Sequence, residues 1–213
     1  MVSQAGGMDV NVLVRRVQRL FQLDTSVFEE VRADKAATVP AVVVAAVSMF
    51  LFGMGGWLWW VLADIPESGD VLIKSAVIGT VTGTALWVAW MAITYVTLTQ
   101  LFRARVDFQE LLRVMGFAAA PLSVGVLMFI PEVEFGIALT AVALFFGSTL
   151  LAVQSATDAT PGRALAATGA GFLVWSVMLG LFVGEDNAYA PGIFVFDVGV
   201  EFLKAIGSFT SAF

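Results

Sequence analysis

The stretch Val39-Pro40-Ala41-Val42-Val43-Val44-Ala45-Ala46-Val47-Ser48-Met49-Phe50-Leu51-Phe52-Gly53-Met54-Gly55-Gly56-Trp57-Leu58-Trp59-Trp60-Val61-Leu62 decides the class of fold. It carries no charge over twenty-four positions, and a helix of about 20 apolar residues is enough to cross a bilayer. Four further stretches are similarly long and apolar, charged only at Lys74 and Arg113 near their ends: residues 71–101, 112–130, 135–153 and 164–183. The 213 residues are 59% hydrophobic and 13% charged, with mean hydropathy +0.91. Soluble domains carry about 25% charged residues, so this chain lacks the polar surface to cover a soluble core. The sequence reads as an all-α integral membrane protein. A five-transmembrane-helix bundle is expected, with amphipathic interfacial helices at the N- and C-terminal ends.

The breaks between the apolar stretches are loop chemistry. Asp64-Ile65-Pro66-Glu67-Ser68-Gly69-Asp70 mixes acids with proline and glycine,. Pro131-Glu132-Val133-Glu134 is short enough to fold the third and fourth spans into a hairpin,. Thr157 to Arg163 turns the chain back before the fifth. The organisation is a segment 1–38, a membrane domain 39–183 and a tail 184–213. Nothing in the first 38 residues has the pattern of a cleaved signal peptide.

Basic residues set the expected orientation. With five spans, nine of the eleven lysines and arginines fall on one side, in the lead, the second loop and the fourth loop. That side is expected to be cytoplasmic, with the carboxyl terminus outside a cell membrane.

Val10, Leu13, Val14, Val17, Leu20 and Phe21 form one helical stripe, while Arg15, Arg16 and Arg19 lie elsewhere,. Two placements suit such a helix. It lies in the interface with these arginines at the membrane surface, or it packs on the cytoplasmic ends of the spans. Ser26-Val27-Phe28-Glu29 has capping-box spacing for a second short helix,, and Thr38 with Pro40 suits the start of the first span. In the tail, Asp197, Glu201, Lys204, Ser208 and Ser211 recur at helical spacing. An interfacial helix is expected there, with a sixth span as the rival.

No ionisable residue lies deep in any span, so proton relay and intramembrane carboxylate chemistry lack their groups. Zero histidines and zero cysteines remove the usual bases, nucleophiles and soft metal ligands,. No phosphate-binding loop, metal cluster or nucleic-acid patch is found, so no cofactor and no nucleic-acid partner is expected. Gly79 and Gly83, four apart, allow close helix approach,. Gly53, Gly55 and Gly56 read likewise, and Trp57, Trp59 and Trp60 suit an outer aromatic belt. Pro121 is expected to kink the third span.

Glu110-Leu111-Leu112-Arg113-Val114-Met115-Gly116-Phe117-Ala118-Ala119-Ala120-Pro121-Leu122, ending at Ile130-Pro131, resembles the third-span signature of the Yip-domain family. The lead Arg15-Arg16-Val17-Gln18-Arg19-Leu20, with Asp34-Lys35-Ala36-Ala37-Thr38, is similar to that of prokaryotic members. The resemblance implies five spans and a cytoplasmic amino terminus. Its eukaryotic members serve vesicle trafficking, GTPase recruitment and membrane shaping. The eukaryotic Asp-Leu-Tyr-Gly-Pro motif is absent, so direct GTPase binding is not expected. Gly79, Gly83, Gly116 and Pro121 are the candidate helix-packing residues. Seventeen acids, three lysines and eight arginines resemble a halophilic, haloarchaeal-type composition.

The functional expectation is a non-enzymatic scaffold or membrane-organising protein whose partners are lipids, other proteins or further copies of the chain. A small permease or lipid-handling protein with a cavity near the third span is one alternative. An accessory subunit of a larger membrane complex is the other.

Overall fold

A computed structural model describes residues 9–64, 68–130 and 132–182. The expected tail helix, its sixth-span rival and the acids at 67, 185 and 186 lie outside the described residues. Within them the chain forms helices α1 (Val10–Phe21), α2 (Ser26–Ala33), α3 (Thr38–Leu62), α4 (Gly69–Leu101), α5 (Phe108–Phe129), α6 (Glu134–Ala156) and α7 (Pro161–Phe182). The last five are each long and apolar enough to cross a membrane, as expected from the sequence.

Each span packs on two main neighbours, in the cyclic order α3, α4, α7, α6, α5 and back to α3. Four of these five contacts join antiparallel helices. The fifth, α3 with α5, joins two that run the same way. The third span is the enclosed one: 72% of its most apolar stretch is buried, against 28–44% for the other four. The reason is local. Both amino-terminal helices lie against it.

Pro121 does more than kink α5. Phe108–Ala118 is α-helical, but Ala120–Phe129 is a 3₁₀ helix of ten residues. Proline has no N–H for the carbonyl four residues back, and the chain changes to three residues per turn around it. Leu122, Gly125 and Met128 are then buried at a spacing of three, as that period requires. The 3₁₀ rise is about 2.0 Å per residue and the α rise about 1.5 Å. The span thus reaches about 36 Å, enough for a hydrocarbon core of about 30 Å.

Local capping also departs from expectation. Ser26 does not close a capping box with Glu29. Asp24 Oδ1 instead accepts from the Ser26 amide at 3.0 Å and its hydroxyl at 2.6 Å. Thr38 makes no side-chain cap. Asp34 Oδ1 takes the Ala36 amide at 2.9 Å and starts the short 3₁₀ turn Lys35–Ala37 that leads into α3.

Candidate functional site

The most distinctive part of the molecule is the pair α1–α2. Leu23, at φ 62°, closes α1 in the left-handed conformation. The Asp24 amide donates to Arg19 O and the Leu23 amide to Leu20 O, both at 3.0 Å, which is the Schellman pattern of helix ends. The chain reverses there and α2 returns, so the two helices form a hairpin.

Its contacts show how far the hairpin reaches. The base, Asp9 to Arg16, lies by Thr38, Val39 and Pro40 at the start of α3. Phe21 lies by Val47 and Leu51. Leu20, Leu23 and Phe28 face Pro121, Leu144, Gly147 and Leu151. From Val39 to Leu51 is about 18 Å along a helix at 1.5 Å per residue. The tip therefore sits about half-way along the spans. α1 thus packs along the sides of the spans together with α2, reaching beyond the span ends on which the second placement had it.

Leu20, Val27, Phe28 and Val31 join the bundle's own core. The charges between the two helices are matched inside the hairpin. Arg16 is 8% exposed and donates to Glu30 Oε1 and Asp34 Oδ2, each at 2.8 Å. Its guanidinium stands 6.0 Å from the centre of the Phe117 ring. Arg19 donates to Asp24 at 2.8 Å, Glu30 at 2.6 Å and Ser26 Oγ at 2.9 Å. Such charge-assisted bonds are the strong ones. Burial alone would lower the Arg16 pKa, but its bonds to Asp34 and Glu30 outweigh that and raise it. Bonds from the Ser26 hydroxyl and Arg19 hold the Asp24 carboxyl down at about 2. Arg16, as a hydrogen-bond donor, lowers both Glu30 and Asp34.

The base of the hairpin is fastened to the spans by backbone carbonyls. Arg113, 4% exposed, donates through Nε and Nη2 to Arg32 O at 3.1 and 2.6 Å. Arg32 in turn donates to Ser155 O at the end of α6. Arg113 and Arg32 together thus tie α5, α2 and α6.

The chain was compared with family models, curated proteins and solved structures. None of the three comparisons returned a match. The site is accordingly read from its own geometry.

Of the three arginines expected at the membrane surface, Arg15 is exposed, while Arg16 and Arg19 are turned onto the hairpin's own acids. Among the packing glycines, Gly116 is the tight one: a Cβ there would stand 2.6 Å from Ala41 O. At Gly83 it would meet only the flexible Met49 side chain, at 3.3 Å, and at Gly79 only Lys74 O of its own helix, at 3.4 Å. Pro121 lines the groove under the hairpin tip. The sequence reading missed Gly125 and Gly171 as contact points. A Cβ on Gly125 would strike the Phe52 ring, one on Gly55 would strike Gly125 O, and one on Gly171 would strike the Trp90 ring. The acids Asp24, Glu30 and Asp34 were missed as well. Their signal was present as acidic positions following Arg16 and Arg19 across a turn.

Between α4, α6 and α7 the space is filled by rings. Trp90 lies 5.1 Å from Phe145, 5.2 Å from Phe172 and 5.8 Å from Trp175 between ring centres. Its indole donates to Thr168 O at 2.9 Å. Thr80 and Thr99 of the threonine-rich α4 donate back to carbonyls of their own helix.

Proposed function

We propose that this chain is a non-enzymatic integral membrane protein of the Yip-domain type that organises the membrane around it. The observation that carries this reading is the hairpin lodged half-way along the bundle. At its tip Leu23 is 81% exposed and Phe21 48%. Large apolar side chains at such a tip favour lipid over water. In a bilayer, the hairpin widens the protein in one leaflet and leaves the other leaflet unchanged. Lipids must accommodate that asymmetry, which is a physical route to membrane shaping without any reaction. The stretch that resembles the Yip-domain signature is also the one the hairpin covers: Phe117 lies under Arg16 and Pro121 under the tip. The ring-filled space between α4, α6 and α7 favours a scaffold over a permeation path. The basic residues gathered at the hairpin end support a cytoplasmic amino terminus in the plasma membrane.

The test is reconstitution of the full chain into phosphatidylcholine–phosphatidylglycerol vesicles, imaged by electron cryomicroscopy. The wild type is expected to lower vesicle diameter with increasing protein content. The double variant Phe21→Asp, Leu23→Asp is expected to incorporate equally and leave the diameter unchanged. Equal diameters for the two proteins at equal incorporation would overturn the reading.

A further inference from the structure

Three other arginines gather at the same end of the bundle, away from the hairpin. Arg103 and Arg105 follow α4, and Arg163 lies in the first turn of α7. All three are exposed, and among the described residues no carboxylate lies within ion-pair distance of them. The two segments that carry them are tied together. The Arg105 amide donates to Asp158 Oδ1 at 2.7 Å, while the Ala104 amide folds the first segment back on α4 by donating to Leu98 O at 2.9 Å. The Arg163 guanidinium stands 5.9 Å from the centre of the Phe102 ring. The nearby acids are occupied by the backbone. Asp158 holds the Arg105 amide, and Asp107 caps α5 through the Gln109 and Glu110 amides at 2.8 and 3.0 Å.

The patch also sits at a sharp polarity boundary. Leu101 is 70% exposed and Leu165 47%, and each stands two residues from one of the arginines. Exposed apolar residues of membrane helices face lipid chains, so guanidiniums just beyond them lie at headgroup level. Guanidinium matches phosphate with paired, charge-assisted donors. Arg103 holds a left-handed φ of 52°, where glycine would relax the backbone.

We propose that Arg103, Arg105 and Arg163 bind the phosphate of an anionic lipid headgroup between the ends of α4 and α7, with the lipid's chains along Leu101 and Leu165. This site is separate from the hairpin and does not depend on membrane shaping. Each arginine near an anionic surface contributes about 1 kcal/mol, which converts to about fivefold in affinity.

The full chain, purified in neutral detergent with equal phosphatidylglycerol and phosphatidylcholine, is tested by native mass spectrometry. The wild type is expected to retain phosphatidylglycerol preferentially. Arg103→Gln, Arg105→Gln and Arg163→Gln should each lower that retention about fivefold, and the triple variant should show no preference. Lys74→Gln, near the other end of α4, should leave it unchanged. Thermal midpoints accompany each variant, and the single variants suffice if the triple one unfolds. Retention unchanged in the single variants would overturn the proposal, since the arginines would then serve orientation alone. So would an equal loss in Lys74→Gln, or displacement of the lipid by inorganic phosphate.

Discussion

Two of the seams in the bundle are built on contrasting principles. Between α3 and α5, backbones approach each other at Gly116 against Ala41 and at Gly55 against Gly125. Between α4, α6 and α7, Trp90, Phe145, Phe172 and Trp175 fill the gap with rings. In a bilayer, where lipid tails are as apolar as leucine, neither seam would gain from hiding apolar surface as it would in water. Both depend on close packing. The glycine seam fails when atoms are added; the ring seam fails when atoms are removed, and at Gly171, under Trp90, when they are added as well.

The contrast is broken most strongly at Trp90. Trp90→Ala empties the centre of the ring cluster and removes the indole bond to the Thr168 carbonyl. A loss of about 3–5 kcal/mol is expected, read as a fall in the thermal midpoint in detergent, with Trp90→Phe losing clearly less. At the glycine seam, Gly55→Ala meets backbone rather than a flexible side chain. It is expected to cost about 1–3 kcal/mol, although alanine is the better helix former. Gly79→Ala is the control: with no neighbouring helix in the way, it should stabilise by about 0.5–1 kcal/mol. If Gly55→Ala and Gly79→Ala shift stability alike, the glycine seam is not a seam.

The hairpin differs from both because its own two helices are joined by ion pairs. Glu30→Gln removes the carboxylate shared by Arg16 and Arg19. Its side chain is 42% exposed, so a loss of about 1 kcal/mol is expected after solvent screening. It should show as faster hydrogen exchange over residues 10–33, with the spans unaffected. Asp24, Glu30 and Asp34 all have carboxyls held below their ordinary values. Their contribution is therefore fully present above the ordinary range near pH 4 and is lost as pH falls towards 2. Protease access to the hairpin should rise over that window while both seams stay closed. The smallest effect is expected at Leu23→Gly: relief of the left-handed turn, about 1–2 kcal/mol, is partly offset by glycine's greater chain entropy, leaving a small net stabilisation of the hairpin. The same variant removes the apolar tip, so vesicle shaping should weaken as hairpin stability rises.

The five spans were legible in the sequence because a run such as residues 39–62 has one stable environment. The amphipathic stripe of α1 was legible too. Its partner was not, because Leu13, Val17 and Leu20 present the same apolar face to a lipid tail and to a neighbouring helix. The matching of Arg16 and Arg19 depends on a turn at Leu23 that places residues 24, 30 and 34 beside them. A left-handed leucine gives no glycine signal for that turn. Among the glycines, the four-residue spacing of Gly79 and Gly83 drew attention. The contact at Gly125 follows a spacing of three that only a 3₁₀ helix produces, and Pro121 reads equally well as a simple kink.

Mechanically, the 3₁₀ half of α5 is a stretched strut. Rewound as an α-helix, its ten residues would shorten by about 5 Å, and Gly125 would rotate by about 100° relative to Ala120. Gly125 would then turn away from Gly55, and a bulkier residue would be driven into the backbone of α3. One glycine contact therefore fixes both the length of the central span and the angle at which it faces its neighbours.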